Sequence, residues 1–221
     1  MIVDKVARGV EVARFFARRR ISGIEVGDEP FLEEESKPAF AQLLRECRFY
    51  LEYGSGGSTV MAARMNKRFI SVETDPYYLR AVAEKIGTLA SDQRLIYSDV
   101  GLTGPWGTPF FRRMTPQRLV RWTNYLEAPW RFIRADDVPD LVLIDGRFRV
   151  AAALTCCLHL VGSPDSRILV DDYEADRNYY PIEQHATLTA TVGRMAIFQP
   201  APQIRADQLR AAIAKYASDF R

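Results

Sequence analysis

The sequence predicts an α/β domain built on a doubly wound, mostly parallel, seven-stranded sheet that closes in a C-terminal antiparallel hairpin. Two observations carry this. Short apolar runs at 49–52, 68–73, 94–98, 141–144 and 167–170 are separated by helical-period segments, and strands alternating with helices imply parallel βαβ units. Two further runs, Thr187–Val192 and Met195–Phe198, flank Gly193-Arg194 and read as the hairpin.

Along the chain, Val3–Arg19 carries apolar residues at 3, 6, 7, 10, 13 and 16, a helical period closed by Ser22-Gly23. The acidic run Glu33–Glu35 reads as a solvated face. Lys37–Glu46 is a helix leading into the first strand, and Ser58 starts the next, Thr59–Asn66. Pro76 suits the first turn of a helix over Tyr77–Ile86, which Gly87 can end. Gly101–Phe111 is a glycine- and proline-rich loop whose Trp106, Phe110 and Phe111 either line a pocket or pack as a connector. Pro116–Ile133 is helical and broken near Pro129; Trp122, Tyr125 and Trp130 fall at core spacing. Leu141–Ile144 is a continuous apolar run, as in a central parallel strand. Arg149–Leu160 and the amphipathic Ala206–Phe220 complete the helices. The expectation is one domain over 1–221: an N-terminal helical segment (1–46), a core (47–200) and a C-terminal helix (201–221).

The chain has 221 residues, 48% of them apolar, with 30 basic and 28 acidic side chains and a net charge of +2. That balance argues against a protein that wraps nucleic acid. Cys47, Cys156 and Cys157 are odd in number, and two are adjacent in an apolar helix. This points away from a disulfide framework and towards a reducing cytoplasm. No apolar core of a signal peptide is visible at the N-terminus, and no stretch is apolar enough to span a membrane. A homo-oligomer is left open.

The chemistry concentrates after the first strand, where Glu52 precedes Gly54, Gly56 and Gly57. Glycines there allow a tight turn and a close ligand approach. A dinucleotide would set its pyrophosphate on the following helix, where Glu52 would repel it. The third glycine of that motif is replaced by Thr59. S-adenosylmethionine instead brings an ammonium and a sulfonium, which Glu52 attracts. Glu73 ends the second strand 19 residues after Gly54, at the spacing of a ribose-binding carboxylate.

These motifs resemble the class I S-adenosylmethionine-dependent methyltransferases. The matching residues are Glu52-Tyr53-Gly54-Ser55-Gly56, Glu73 in Ser-Val-Glu-Thr-Asp, Asp99 in Leu-Ile-Tyr-Ser-Asp, and Asp140–Gly146, together spanning residues 47–172. The resemblance implies a Rossmann-like fold and a methyl donor as cofactor, with Glu52 near the methionine moiety, Glu73 on the ribose and Asp99 on the adenine amine. Gly54, Ser55, Gly56, Ser58, Thr74 and Asp145 complete the candidate cofactor set.

Asp145 ends the fourth strand, and Asp171-Asp172 ends the fifth. Converging carboxylates need a cation or hydrogen bonds, and Mg²⁺ prefers such ligands. By position Asp145, Asp171 and Asp172 resemble the metal ligands of macrocin- and catechol-type O-methyltransferases. Arg147 and Arg149 follow directly and supply positive charge without a metal, which is the favoured reading. Asp145, Asp171 and His185 are the candidate catalytic groups, although His185 also reads as a surface loop residue. His159, on an apolar helix, reads as structural. The acceptor expected is a small molecule, methylated at oxygen. A protein or RNA acceptor, or an inactive cofactor-binding protein, are the alternatives.

Overall fold

A computed structural model describes residues 24–174 and 179–220. The helix expected over Val3–Arg19 lies outside the described residues. The elements are α1 (Ser36–Glu46), β1 (Phe49–Tyr53), α2 (Gly57–Arg64), β2 (Arg68–Glu73), α3 (Pro76–Ile86), β3 (Gln93–Tyr97), α4 (Pro116–Glu127), β4 (Leu141–Ile144), α5 (Arg149–His159), β5 (Arg167–Val170), α6 (Tyr180–Glu183), β6 (Ala186–Val192), β7 (Met195–Pro200) and α7 (Ala206–Tyr216). Short 3₁₀ turns cover Pro105–Gly107 and Pro129–Phe132. No helix among the described residues is long and apolar enough to cross a membrane.

The sheet has seven strands in the order β3-β2-β1-β4-β5-β7-β6. The first five are parallel, and β7 and β6 pair antiparallel at one side. Alternating side chains divide the core. Phe49, Leu51, Tyr53, Val142 and Ile144 face a cluster with Trp122 and the α5 residues Ala151–Cys157. Tyr50, Phe69, Leu141, Leu143 and Leu169 face Phe40 and Leu44 of α1 and Ala62 of α2. This is the period-2 pleat burying both faces of the central strands.

Local signals set the helix ends. Asp75 caps α3, accepting from the N–H groups of Tyr77 and Tyr78, with Pro76 next; Gly87 ends the helix at φ +81°. Thr115 accepts from Arg118 N at the start of α4. Trp122 is buried and donates to Val100 O (3.2 Å), and Trp130 donates to Tyr53 Oη (2.9 Å). His159 is structural, stacked on Trp130 at 4.3 Å and bonded to Glu127 (3.0 Å). All three cysteines are free and buried.

The acidic run departs from a simple solvated face. Glu33 Oε2 accepts from Arg194 N at 2.8 Å, so the run anchors the β6–β7 turn. Strand order reverses between β1 and β4, and in open α/β sheets ligands bind in the crevice at that switch point.

Candidate functional site

A cleft of ≈ 690 Å³ opens there, at the carboxyl edge of the parallel strands. That volume suits a cofactor-sized molecule. Its floor is built by two glycines. Gly54 follows β1 at φ +97°, and a Cβ there would lie 2.6 Å from Gly146 N. A Cβ on Gly146 would lie 2.5 Å from Tyr125 Oη and 3.1 Å from Gly54 N. Both Asp145 N and Gly146 N donate to Tyr53 O, at 3.0 and 2.7 Å. The ends of β1 and β4 therefore touch backbone to backbone.

Ser55, Gly56 and Ser58 of the turn line the cleft, as do Glu73, Thr74 and Asp75 after β2. Glu73 accepts from Ser55 N (3.1 Å) through Oε2, and from Thr74 N (2.6 Å), Thr74 Oγ1 (3.1 Å) and Asp75 N (2.9 Å) through Oε1. With one bond to Oε2 and three to Oε1, Oε2 keeps the larger acceptor capacity. Burial raises the Glu73 pKa to about 7, against the pull of these donors. Trp106 and Phe31, both largely exposed, meet at 5.5 Å and stand at the cleft wall. Gly107, at φ +69°, lies against Thr74 with no room for a side chain. The aromatic loop thus contributes Trp106, whereas Phe111 turns outward under Arg118.

Glu52 does not line the cleft among the described residues. It is fully buried beneath the turn, accepting from Ser58 Oγ and Thr59 Oγ1, from Ser71 Oγ (2.7 Å) and from Tyr50 Oη (3.0 Å). Thr59 Oγ1 also accepts from Gly56 N at 2.9 Å, so the threonine standing at the third-glycine position ties the turn to the carboxylate. Burial raises the Glu52 pKa, and the hydroxyl donors oppose this. Direct contact of Glu52 with a ligand is therefore replaced by support from below. Glu52→Ala is expected to leave four buried hydroxyls without their acceptor and to cost about 3 kcal/mol. Urea-unfolding midpoints check this, with Glu52→Gln expected to lose less.

Asp99 and His185 are also displaced from the expected positions. Asp99 is exposed, accepts from Gly101 N (2.8 Å) and pairs with Arg121 (3.4 Å), outside the cleft lining. His185 precedes β6, whose first residue Ala186 pairs with Pro200. Because β7 runs antiparallel to β5 and β6 antiparallel to β7, β6 starts at the amino edge of the parallel strands. His185 is thus at the opposite edge from the cleft.

Asp145, Asp171 and Asp172 do converge on the cleft, with Arg147, Arg149 and Arg194 among them. Arg149, 2% exposed, donates to Asp145 Oδ1 (3.2 Å) and Asp172 Oδ2 (2.9 Å). Arg194 pairs with Asp172 Oδ1 at 2.9 Å. These guanidiniums occupy both oxygens of Asp172 and one of Asp145, and supply the positive charge a metal would bring. Among the described residues no group of three or more His, Cys, Asp or Glu side chains is placed to hold a metal ion. The residues do not fit Mg²⁺, and no step is drawn through it. Burial and neighbouring acids push Asp145 and Asp171 above the usual carboxylate range, and Arg149 offsets part of this. Asp171 is 3% exposed, and its Oδ1 has no hydrogen-bond partner.

Tyr125, Arg194 and Phe31 line the cleft without a sequence signal for it. Tyr125 has core spacing and is fully buried, yet its hydroxyl reaches the cleft floor. Arg194 comes from a turn that only long-range strand pairing brings here.

No protein-family model matches the chain, and neither does any curated protein. Among solved structures, it is similar to a methyltransferase-like protein from Silicibacter pomeroyi DSS-3. The two share 29% identity over 87% of this chain and 100% of that one, with a TM-score of 0.71. A more distant similarity is to an S-adenosylhomocysteine-bound methyltransferase from Podospora anserina, with 13% identity over 73% of this chain and 76% of that one, and a TM-score of 0.46. The sheet order, the glycine turn at the switch point and the first of these likenesses define a class I methyltransferase fold. Its fold is that of the class I S-adenosylmethionine-dependent methyltransferases.

Proposed function

We propose that the chain transfers the methyl group of S-adenosylmethionine to the hydroxyl of a small-molecule acceptor. The bound cofactor supplies an electrophilic methyl carbon on a sulfonium, already a good leaving group. The protein then needs mainly to align the reactants and accept one proton. Glu73 carries the reading. Its carboxyl is fixed by three backbone N–H groups, lies beside the glycine turn and lines the cleft, with Oε2 accepting only one of these bonds, which supports a role on a ribose diol. Asp171 is the proton acceptor. Its partnerless Oδ1 takes the hydroxyl proton as the acceptor oxygen bonds to the methyl carbon and the carbon–sulfur bond breaks. The near-neutral charge supports a small acceptor over a nucleic acid.

The test is the pH dependence of S-adenosylhomocysteine binding. Ribose hydroxyls donate to the ionised carboxylate and favour it, so the Glu73 pKa falls below about 7 on binding and a proton is released. Affinity is expected to rise as pH climbs towards about 7 and to level off above it. In Glu73→Gln that rise disappears, and affinity at neutral pH falls about tenfold. A flat wild-type profile with unchanged Glu73→Gln affinity would contradict the assignment.

A further inference from the structure

Three arginines reach the cleft beside β4 and β5, and they are not equivalent. Arg149 and Arg194 are engaged by Asp145, Asp172 and Glu174. Arg147 makes no ion pair among the described residues, and its Nε is buried without a hydrogen-bond partner. It lines the same cleft. Leaving a guanidinium half-buried and unpaired costs free energy that a bound anion would recover. Burial and the neighbouring Arg149 charge both lower its pKa, the direction expected of a cation lacking a counterion.

The chain around Arg147 adds to this field. Gly146-Arg147-Phe148 forms the turn into α5, and Phe148 stands at φ +58° as the residue before the helix. No side chain caps α5, an eleven-residue helix, and its first turn carries no acidic residue. Its free N–H groups and dipole favour negative charge at the strand edge. The Nε of Arg149, in the first turn of α5, is also buried and unpartnered.

We infer that Arg147, at the uncapped start of α5, is the receptor for a carboxylate or phosphate group on a molecule bound in the cleft. Asp145 and Asp171 stand in the same lining, so the anion would be held beside the proposed proton acceptor. Two sources share this chemistry: an anionic acceptor, or the carboxylate of the cofactor's own methionine. The inference rests on the methyl-transfer reading, and the two fail separately.

The experiment compares wild-type protein and Arg147→Gln by calorimetry with S-adenosylhomocysteine and with 5′-methylthioadenosine, which lacks the amino-acid carboxylate. Inorganic phosphate is then titrated, by NMR, into each protein alone and into its S-adenosylhomocysteine complex. Wild-type binding of S-adenosylhomocysteine tests the function; the change on substitution tests the subsite. If the anion belongs to the acceptor, S-adenosylhomocysteine binds both proteins alike, and phosphate binds the wild-type complex about tenfold more tightly than the variant complex. If it belongs to the cofactor, Arg147→Gln weakens S-adenosylhomocysteine about tenfold and leaves 5′-methylthioadenosine unchanged. Folded Arg147→Gln that binds all three probes as the wild type does would overturn the inference.

Discussion

Gly54→Ala is expected to be among the most damaging single substitutions in this chain. At φ +97° a non-glycine residue is strained, at about 1–2 kcal/mol. The added Cβ would also lie 2.6 Å from Gly146 N, 2.8 Å from Gly146 Cα and 3.0 Å from Asp145 C. All three atoms are backbone, and the two strands there are pinned by the bonds from Asp145 N and Gly146 N to Tyr53 O. No side chain can rotate aside, so β1 and β4 must separate. The total loss is on the order of 4 kcal/mol, a large part of a typical domain's stability. Denaturant midpoints followed by circular dichroism measure it. Protein that remains folded should bind S-adenosylhomocysteine poorly, because the same displacement moves the turn. Wild-type stability and affinity in Gly54→Ala would mean the β1–β4 contact is looser than described.

Asp171→Asn is expected to separate chemistry from binding. The exchange keeps size and shape in a site that is 3% exposed, so the fold should hold. The amide cannot take a proton at the pH of catalysis. With an acceptor found by mass-spectrometric screening, kcat should fall by about 10²-fold or more, and S-adenosylhomocysteine affinity should stay close to wild type. The wild-type rate should climb with pH as Asp171, raised by burial and by Asp172, loses its proton. That limb should vanish in the variant. Retention of both kcat and its pH profile would remove Asp171 from the reaction.

The central strands were legible because their signals are local. Leu141–Ile144 and Arg167–Val170 stand in the structure at the bounds their apolar runs imply. Pro76 and Gly87 delimit α3 by backbone restrictions that a sequence states openly. Glu73 and the glycine turn were readable for the same reason, being fixed by spacing along one βαβ unit. Side-chain direction was not. Glu52 shares a face with Tyr50 and is drawn under α2 by Ser58, Thr59 and Ser71; only three-dimensional packing brings those hydroxyls together. Asp99 follows a strand at the sheet edge and turns outward to Arg121. The hairpin's antiparallel pairing sends the β6–β7 turn with Arg194, not His185 before the start of β6, to the cleft. Phe31 lies in a segment without periodicity, where nothing local marks its approach to Trp106.

The central claim is that the cleft at the β1–β4 switch point takes a methyl donor and not a dinucleotide. Competitive calorimetry of the wild-type protein with S-adenosylhomocysteine and NAD tests it most directly. The account predicts that S-adenosylhomocysteine binds at one site per chain and that saturating NAD leaves its affinity unchanged. Tighter binding of NAD than of S-adenosylhomocysteine would contradict it.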